Sequence, residues 1–149
     1  AGEADALWHL RYAMNEVQKH EGASIKHDIS VPLDRVPEFL ERATAAVSAL
    51  VPDCRPCPFG HLGDGNIHFN ISQPVGADGG SFLARWGEVN AAVHAVAGDL
   101  KGSIAAEHGI GRLKRDLLVT TKSAVEIDLM RKLKNALDPK GIMNPGKVL

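Results

Sequence analysis

Two short runs of residues on either side of Gly63-Asp64-Gly65-Asn66 predict a β-hairpin within residues 54–73. The stretch from Ser24 to Val31 alternates apolar and polar residues, which predicts a half-buried strand that Pro32 ends. Three strands make a small sheet, and its exposed edge would need a further strand to pair with.

Helical spacing of apolar residues predicts an amphipathic helix over residues 4–20, with one face buried. Further helices are predicted over residues 81–100 and, with Asp34 as the N-terminal cap, to about Leu50. Ser123 and Glu126 form a capping-box pattern that opens a helix ending near residue 137. This order of elements predicts an α+β fold, in which helices pack on one face of an antiparallel sheet and are followed by C-terminal helices.

The composition is that of a compact globular chain and excludes a disordered one. The 149 residues are 44% hydrophobic and carry a formal net charge of −1. This balance argues against nucleic acid as the partner, because phosphate binding needs a dense cationic surface. No apolar run approaches the roughly 18 residues of a membrane span, so we expect a soluble, intracellular protein without a transmembrane segment. Two cysteines are too few for a disulfide framework.

Two histidines, His61 and His68, flank the predicted hairpin turn. If Asp64-Gly65 forms a two-residue turn, paired residues have numbers that add up to 129, and His61 lies directly opposite His68. Such partners have Cβ atoms about 5 Å apart on one face, from which two imidazoles can share a metal ion. Asn70 would project from the same face. The alternative is two ordinary histidines beside a turn, and another loop geometry would change the pairing.

A second candidate cluster is the glycine-bounded stretch from Ala106 to Gly111. Glu107 would complete a set of two histidines and one carboxylate, which leaves coordination positions open for a substrate. His108 beside the metal is a candidate general base. The alternative for this stretch taken alone is a surface loop.

Arg11, Asn15 and Lys26 are a candidate anion-binding group. Arg11 and Asn15 share a helix face because they are four residues apart, and Lys26 lies on the next strand. Arginine binds a carboxylate through two parallel hydrogen bonds, whereas lysine acts as a point charge. From the spacing alone, a solvated surface is the simpler interpretation.

Three motifs together resemble one protein family. They are Gly60–His68, Ala106–Gly111 and Leu137–Lys147, and they are similar to the C-terminal part of the FAD-linked D-2-hydroxy acid dehydrogenases. That family belongs to the vanillyl-alcohol-oxidase-type flavoproteins and includes the glycolate oxidase FAD subunit, D-lactate dehydrogenases and D-2-hydroxyglutarate dehydrogenase. The resemblance extends over nearly the whole chain and implies a ferredoxin-like cap-domain fragment.

The resemblance also implies a chemistry: a D-2-hydroxy acid is oxidised to the 2-oxo acid by metal-assisted proton removal and hydride transfer to FAD. The acid would be D-lactate, glycolate, D-malate or D-2-hydroxyglutarate. Carried over residue by residue, the resemblance implies that a metal is bound by His61, His68 and Glu107, with zinc expected and iron or manganese as alternatives. It implies that His108 removes the proton and that Asn70 binds the substrate carboxylate. The distal end of a longer acid would be bound by Arg11, Asn15 and Lys26, and Asn144 would approach the flavin.

In this family the FAD is bound mainly by an N-terminal domain. We therefore expect residues 1–149 to be the C-terminal part of a substrate domain, without that FAD-binding domain, and to be inactive alone. The implied electron acceptor is an electron-transfer flavoprotein or a quinone chain, and a homodimer is possible. The expected location is the cytoplasm, with the inner-membrane periphery or the mitochondrion as alternatives.

Two other classes of function remain open from the sequence. A stand-alone metal-binding or metallohydrolase domain could use the same His61, His68 and Glu107. A noncatalytic dimerisation module is supported only by the presumed open edge of the sheet.

Overall fold

The computed structural model describes residues 2–149, apart from the side chain of Asn15. The chain divides into two compact units, Ala1–Ala106 and Glu107–Leu149, here called the first and the second unit. The first unit contains helices α1 (Gly2–Val17), α2 (Val36–Leu50), α3 (Gly79–Ala84) and α4 (Trp86–Asp99), and strands β1 (Ser24–Ile25), β2 (Asp28–Ser30), β3 (Arg55–His61) and β4 (Asn66–Ser72). The second unit contains α5 (Arg115–Thr121) and α6 (Ala124–Leu137). The α+β class predicted from the sequence is confirmed.

Strand β4 is the centre of the sheet, and all of its neighbours run antiparallel to it. Strand β3 pairs with one edge of β4, while β1 and β2 follow one another along the other edge. The numbers of paired residues add up to 96 in both β1 and β2. The strand predicted over residues 24–31 is therefore present as two segments in one register, separated by Lys26 and His27.

The apolar core lies on one face of the sheet. The residues that point to this face from the sheet are Ile25, Ile29, Ile67, Phe69 and Ile71, all buried. Helices α2 and α4 pack against each other and cover it, and Phe39 of α2 meets Phe69 edge-on with ring centres 5.6 Å apart. Each fully buried side chain of this size stabilises the fold by about 1.5–3 kcal/mol, so this face is the main source of stability in the first unit.

Three local predictions need correction. The helix predicted over residues 81–100 is divided into α3 and α4 at Arg85, whose N–H bonds the Phe82 carbonyl three residues back and whose side chain binds the Leu50 carbonyl. Asp34 does not cap α2; it lies in a short 3₁₀ helix, Leu33–Arg35.

The prediction that α1 buries its apolar face is also wrong. Leu7, Leu10 and Val17 are 68%, 65% and 55% exposed. The helix instead contacts the sheet through polar side chains: Arg11 lies over the Phe59 ring, and Gln18, just after α1, bonds a strand residue.

The second unit contains the predicted capping box. The N–H of Glu126 donates to the Ser123 hydroxyl at 3.2 Å, and the Ser123 N–H donates to the Glu126 carboxylate at 3.0 Å. These bonds, together with Lys122, lower the pKa of Glu126 to about 2. None of the helices described has both the length and the apolar character that a membrane span requires.

Candidate metal and substrate site

The loop between β3 and β4 differs from the predicted two-residue turn. It is a 3₁₀ turn, Leu62–Asp64, closed by Gly65 in the left-handed conformation at φ 65°. The Gly65 carbonyl accepts a hydrogen bond from Val31 at 3.1 Å. A Cβ atom on Gly65 would lie 2.1 Å from the Val31 carbonyl oxygen. The chain that follows β2 therefore holds this longer loop in place.

The pairing of the two histidines changes with the loop. His61 pairs with Asn66, and Phe59 pairs with His68, so paired numbers add up to 127. The predicted direct pairing of His61 with His68 is therefore wrong. Because the difference of two residues preserves the side-chain alternation, both imidazoles still project from one face as diagonal neighbours. Their ring centres are 6.0 Å apart.

This second face of the sheet, here called the polar face, lies opposite the apolar core. It carries Asp28 and Ser30 of β2, Cys57, Phe59 and His61 of β3, and Asn66, His68, Asn70 and Ser72 of β4. Four of its polar residues, Asp28, Asn66, Asn70 and Ser72, are buried. Buried polar groups are stable only with hydrogen-bond partners, so this face is internally organised.

Asp28 is the buried carboxylate of the polar face, with 3% of its surface exposed. Its Oδ1 accepts from the Asn66 side-chain amide at 3.1 Å and lies 3.9 Å from Nδ1 of His68. Its Oδ2 accepts from the backbone N–H of Ala106 at 3.1 Å. Asp28 has no role in the predictions from sequence, because its only signal is its pairing opposite His68, which depends on a long-range strand register.

Of the predicted anion-binding residues, Arg11 contacts the polar face. The Arg11 guanidinium carbon lies 5.8 Å from the centre of the Phe59 ring, and that ring is 5.2 Å from the His68 ring. Lys26 is exposed. The pKa of Glu16 on α1 is lowered, chiefly by Lys19 and to a smaller extent by the charge of Lys26. The side chain of Asn15 lies outside the described part of the structure.

Asn70 projects from the polar face, as its position in the alternation predicts. It is buried and donates its side-chain amide to Gln18 at 2.9 Å. Gln18 in turn donates to the Met14 carbonyl at 3.1 Å. Asn70 therefore also attaches the end of α1 to the sheet.

The second unit begins with Glu107, the predicted metal ligand, and His108, the predicted general base. Glu107 follows Ala106 directly, and one of its carboxylate oxygens lies 3.9 Å from Nε2 of His108. The His108 side chain is 66% exposed and that of Glu107 is 43% exposed. Gly109 continues the chain with a φ of 77°.

Asn144 lies on a loop that a buried carboxylate orders. Asp138 accepts from the backbone N–H groups of Ile142 at 3.0 Å and Met143 at 2.9 Å, and it binds Lys134. The hydrogen bond from Lys134 and those two backbone bonds lower the pKa of Asp138. The residues immediately before Asn144 are thus fixed to the end of α6.

Comparison with known proteins identifies the family. The family model described as "FAD linked oxidases, C-terminal domain" matches residues 1–148. The chain belongs to this family. The resemblance stated from the three sequence motifs is confirmed.

The relatives of this FAD linked oxidase domain include two proteins named D-2-hydroxyglutarate dehydrogenase. The one from Stutzerimonas stutzeri is 43% identical over 142 residues, which are 95% of this chain and 30% of the relative. The mitochondrial one from Danio rerio is 36% identical over 149 residues, which are 100% of this chain and 27% of the relative. The chain therefore spans less than a third of the length of these relatives.

Proposed function

We propose that the protein containing this chain is a FAD-dependent dehydrogenase that oxidises a D-2-hydroxy acid to the corresponding 2-oxo acid. Membership of the FAD linked oxidase family and the names of the relatives support the class of reaction. The observation that carries the proposal within this chain is the pair His61 and His68 on one face of the sheet, beside the buried carboxylate of Asp28.

The proposed metal ligands are His61, His68 and Glu107. Two imidazoles and one carboxylate suit a divalent transition metal and leave positions open for a substrate. Zinc is the proposed ion, with iron and manganese as alternatives. A divalent cation at such a site supplies Lewis-acid stabilisation of negative charge that develops on the substrate hydroxyl oxygen.

His108 is the proposed general base. The His108 side chain is 66% exposed, and His108 directly follows the proposed metal ligand Glu107 in the sequence. A neutral imidazole removes the proton of the 2-hydroxyl group, so that the C2–H bond breaks and its electron pair leaves as hydride. In a FAD linked oxidase the flavin supplies the acceptor for that hydride.

The substrate is oriented by residues of the polar face and of α1. Asn70 is proposed to bind the carboxylate next to the reacting carbon. Arg11, Asn15 and Lys26 are proposed to bind the distal carboxylate of a longer acid. Two cationic groups at the end of the site favour an acid with a second carboxylate. Two of the four candidate acids, D-malate and D-2-hydroxyglutarate, have a second carboxylate, and of these we propose D-2-hydroxyglutarate because the relatives are named for it.

The proposed contribution of this chain to flavin binding is Asn144, on the loop that Asp138 orders. The remaining contacts to FAD are proposed to lie in the part of the relatives that this chain does not span. We further propose an electron-transfer flavoprotein or a quinone chain as electron acceptor, a homodimer, and a cytoplasmic location.

The proposal is tested on the whole protein loaded with FAD. Under anaerobic conditions D-2-hydroxyglutarate should bleach the flavin absorbance faster than D-malate, D-lactate or glycolate. Removal of metal by a chelator should abolish bleaching, and added zinc should restore it, because the substrate oxygen then regains its Lewis acid.

Two outcomes of this experiment contradict the proposal. If none of the four acids bleaches the flavin, the proposed reaction is wrong. If bleaching is unchanged after complete metal removal, the proposed metal site is wrong. A colourless protein that still binds zinc would instead support the metallohydrolase alternative.

A further inference from the structure

One buried carboxylate, Asp28, lies beside the proposed metal ligand His68. Asp28 faces His68 across the β2–β4 pair and accepts the backbone N–H of Ala106, the residue before Glu107. We propose that Asp28 is a positioning residue for the metal site, orienting His68 and fixing the chain from which Glu107 extends. This inference rests on the metal site of the proposed function.

The first step concerns the His68 ring. Oδ1 of Asp28 lies 3.9 Å from Nδ1 of His68, and the carboxylate is 3% exposed. A histidine that binds a metal through one nitrogen usually presents the other to a carboxylate or carbonyl, which sets the ring orientation and raises the basicity of the ligand. With Nδ1 on the side of Asp28, Nε2 of His68 would be the nitrogen that holds the metal.

The second step concerns the backbone at Ala106. Ser30 and Ser103 exchange two backbone hydrogen bonds, at 3.1 Å and 2.8 Å, which pair Ser103 with β2. Asp28 adds a second attachment at Ala106. The end of the first unit, from which the chain continues to Glu107, is therefore bound to β2 at two points.

The third step concerns the charge of Asp28. A buried negative charge destabilises a fold unless hydrogen bonds or an opposite charge compensate it. Asn66 and Ala106 each donate an N–H to Asp28. A cation held by His68 would be attracted by the charge of a neighbouring carboxylate and not by a neutral amide.

The variant Asp28→Asn separates the charge from the hydrogen bonds. The new amide oxygen can still accept from Ala106. Oδ1 of Asn66 is buried and has no hydrogen-bond partner among the described residues, so a flipped Asn66 amide can accept from the new amide nitrogen. The substitution therefore removes the charge that faces His68 and retains both bonds. Ser30→Ala is the matched control, since Ser30 lies two residues further along the same face of β2.

The test is zinc affinity of the whole protein, measured by competition with a chromophoric chelator. Asp28→Asn should weaken zinc binding by about 10–100-fold, the usual effect of removing a carboxylate partner of a ligating histidine. Ser30→Ala should change it by less than about twofold. The visible absorption of the cobalt-loaded protein should also shift in Asp28→Asn, because the ligand field at His68 changes; a purely structural role for Asp28 would not produce this shift in the folded protein.

His68→Ala separates failure of this inference from failure of the metal site. If His68→Ala weakens zinc binding and Asp28→Asn binds like wild type, the site stands and the positioning role is overturned. If His68→Ala also binds like wild type, both are overturned. Should Asp28→Asn fail to fold, Asn66→Ala removes one of the bonds that orient the carboxylate. It should then weaken binding by at least about threefold, and unchanged binding would overturn the inference.

Discussion

Arg11 is the cationic residue that the structure places against the aromatic ring next to His68. Its guanidinium lies over Phe59, and Phe59 packs beside His68. The planar guanidinium can bind a carboxylate through two parallel hydrogen bonds. At the scale of single residues, Arg11 is therefore the best candidate for discriminating between acids with one and with two carboxylates.

Arg11→Ala in the whole protein should raise KM for D-2-hydroxyglutarate by about 10–100-fold, because a hydrogen bond to a charged group contributes about 1.5–3 kcal/mol. KM for D-lactate should change by less than about twofold, since D-lactate has no distal carboxylate. Steady-state kinetics with both acids measure the difference. Arg35→Ala, which removes a surface ion pair with Glu38, is the control. An equal rise for both acids would show that Arg11 does not bind the distal end.

The placement of the two histidines could be predicted from the sequence, whereas the placement of Asp28 could not. His61 and His68 could be predicted to share a face, because an error of two residues in the hairpin register leaves the alternation unchanged. Asp28 could not be recognised in this way. Its place opposite His68 depends on pairing between residues 40 positions apart, which local spacing does not determine.

Among the structural elements, the loop between β3 and β4 sets the register that places the histidines. Gly65 adopts φ 65°, and a Cβ atom there would overlap the Val31 carbonyl oxygen. Gly63, two residues away in the same loop, does not have a positive φ, and a Cβ atom added to it would have no neighbouring atom within 4 Å. A side chain can therefore be added at Gly63 without overlap, whereas a side chain at Gly65 would overlap the backbone.

Gly65→Ala should lower the free energy of unfolding by about 1–3 kcal/mol, through left-handed backbone strain and the overlap with Val31. The free energy of unfolding of Gly63→Ala should stay within about 0.5 kcal/mol of the wild-type value. Urea unfolding of both variants measures the difference. Similar stability of the two variants would contradict this loop conformation.

The capping box at the start of α6 gives a prediction for acid. The pKa of Glu126 falls from its ordinary value of 4.5 to about 2, first because of the bonds with Ser123 and then because of Lys122. Since the pKa of Glu126 is lower in the folded chain, its carboxylate stabilises the fold above pH 4.5, and this stabilisation is lost as the pH falls to about 2.

Glu126→Gln should remove this pH dependence. Above pH 4.5, amide hydrogens in the first turn of α6 should exchange faster in the variant than in the wild type. The ratio of the two exchange rates should fall toward one as the pH is lowered from 4.5 to 2. A ratio that stays constant over this range would show that the carboxylate charge does not stabilise the cap.

Elements with strong local signals were predicted well from the sequence. The capping box of Ser123 and Glu126 is one of these, because all of its partners lie within three residues. The division of the helix at Arg85 had no local signal. It coincides with a bond from Arg85 to the end of α2, 35 residues away in the chain.

At the scale of the whole molecule, the sequence predicted the fold class and the family but not the surface of α1. An amphipathic helix normally buries its apolar stripe, yet Leu7 and Leu10 are exposed here and polar residues make the contacts. Periodicity shows that a helix has an apolar face; it does not show which part of a protein covers that face. The relatives are more than three times as long as this chain and contain polypeptide that this chain does not span.

The buried, hydrogen-bonded polar face has an entropic consequence for binding. Asn70 and Asp28 are already held by Gln18, Asn66 and Ala106, so they lose little side-chain freedom when a ligand arrives. Lys26 is exposed and would have to be immobilised at that moment, at a cost of roughly 0.5–1.5 kcal/mol for a flexible side chain. Under the proposed function, the preorganised groups would set a baseline affinity common to all 2-hydroxy acids, and the discrimination between acids would depend on whether the distal end of each one reaches Lys26.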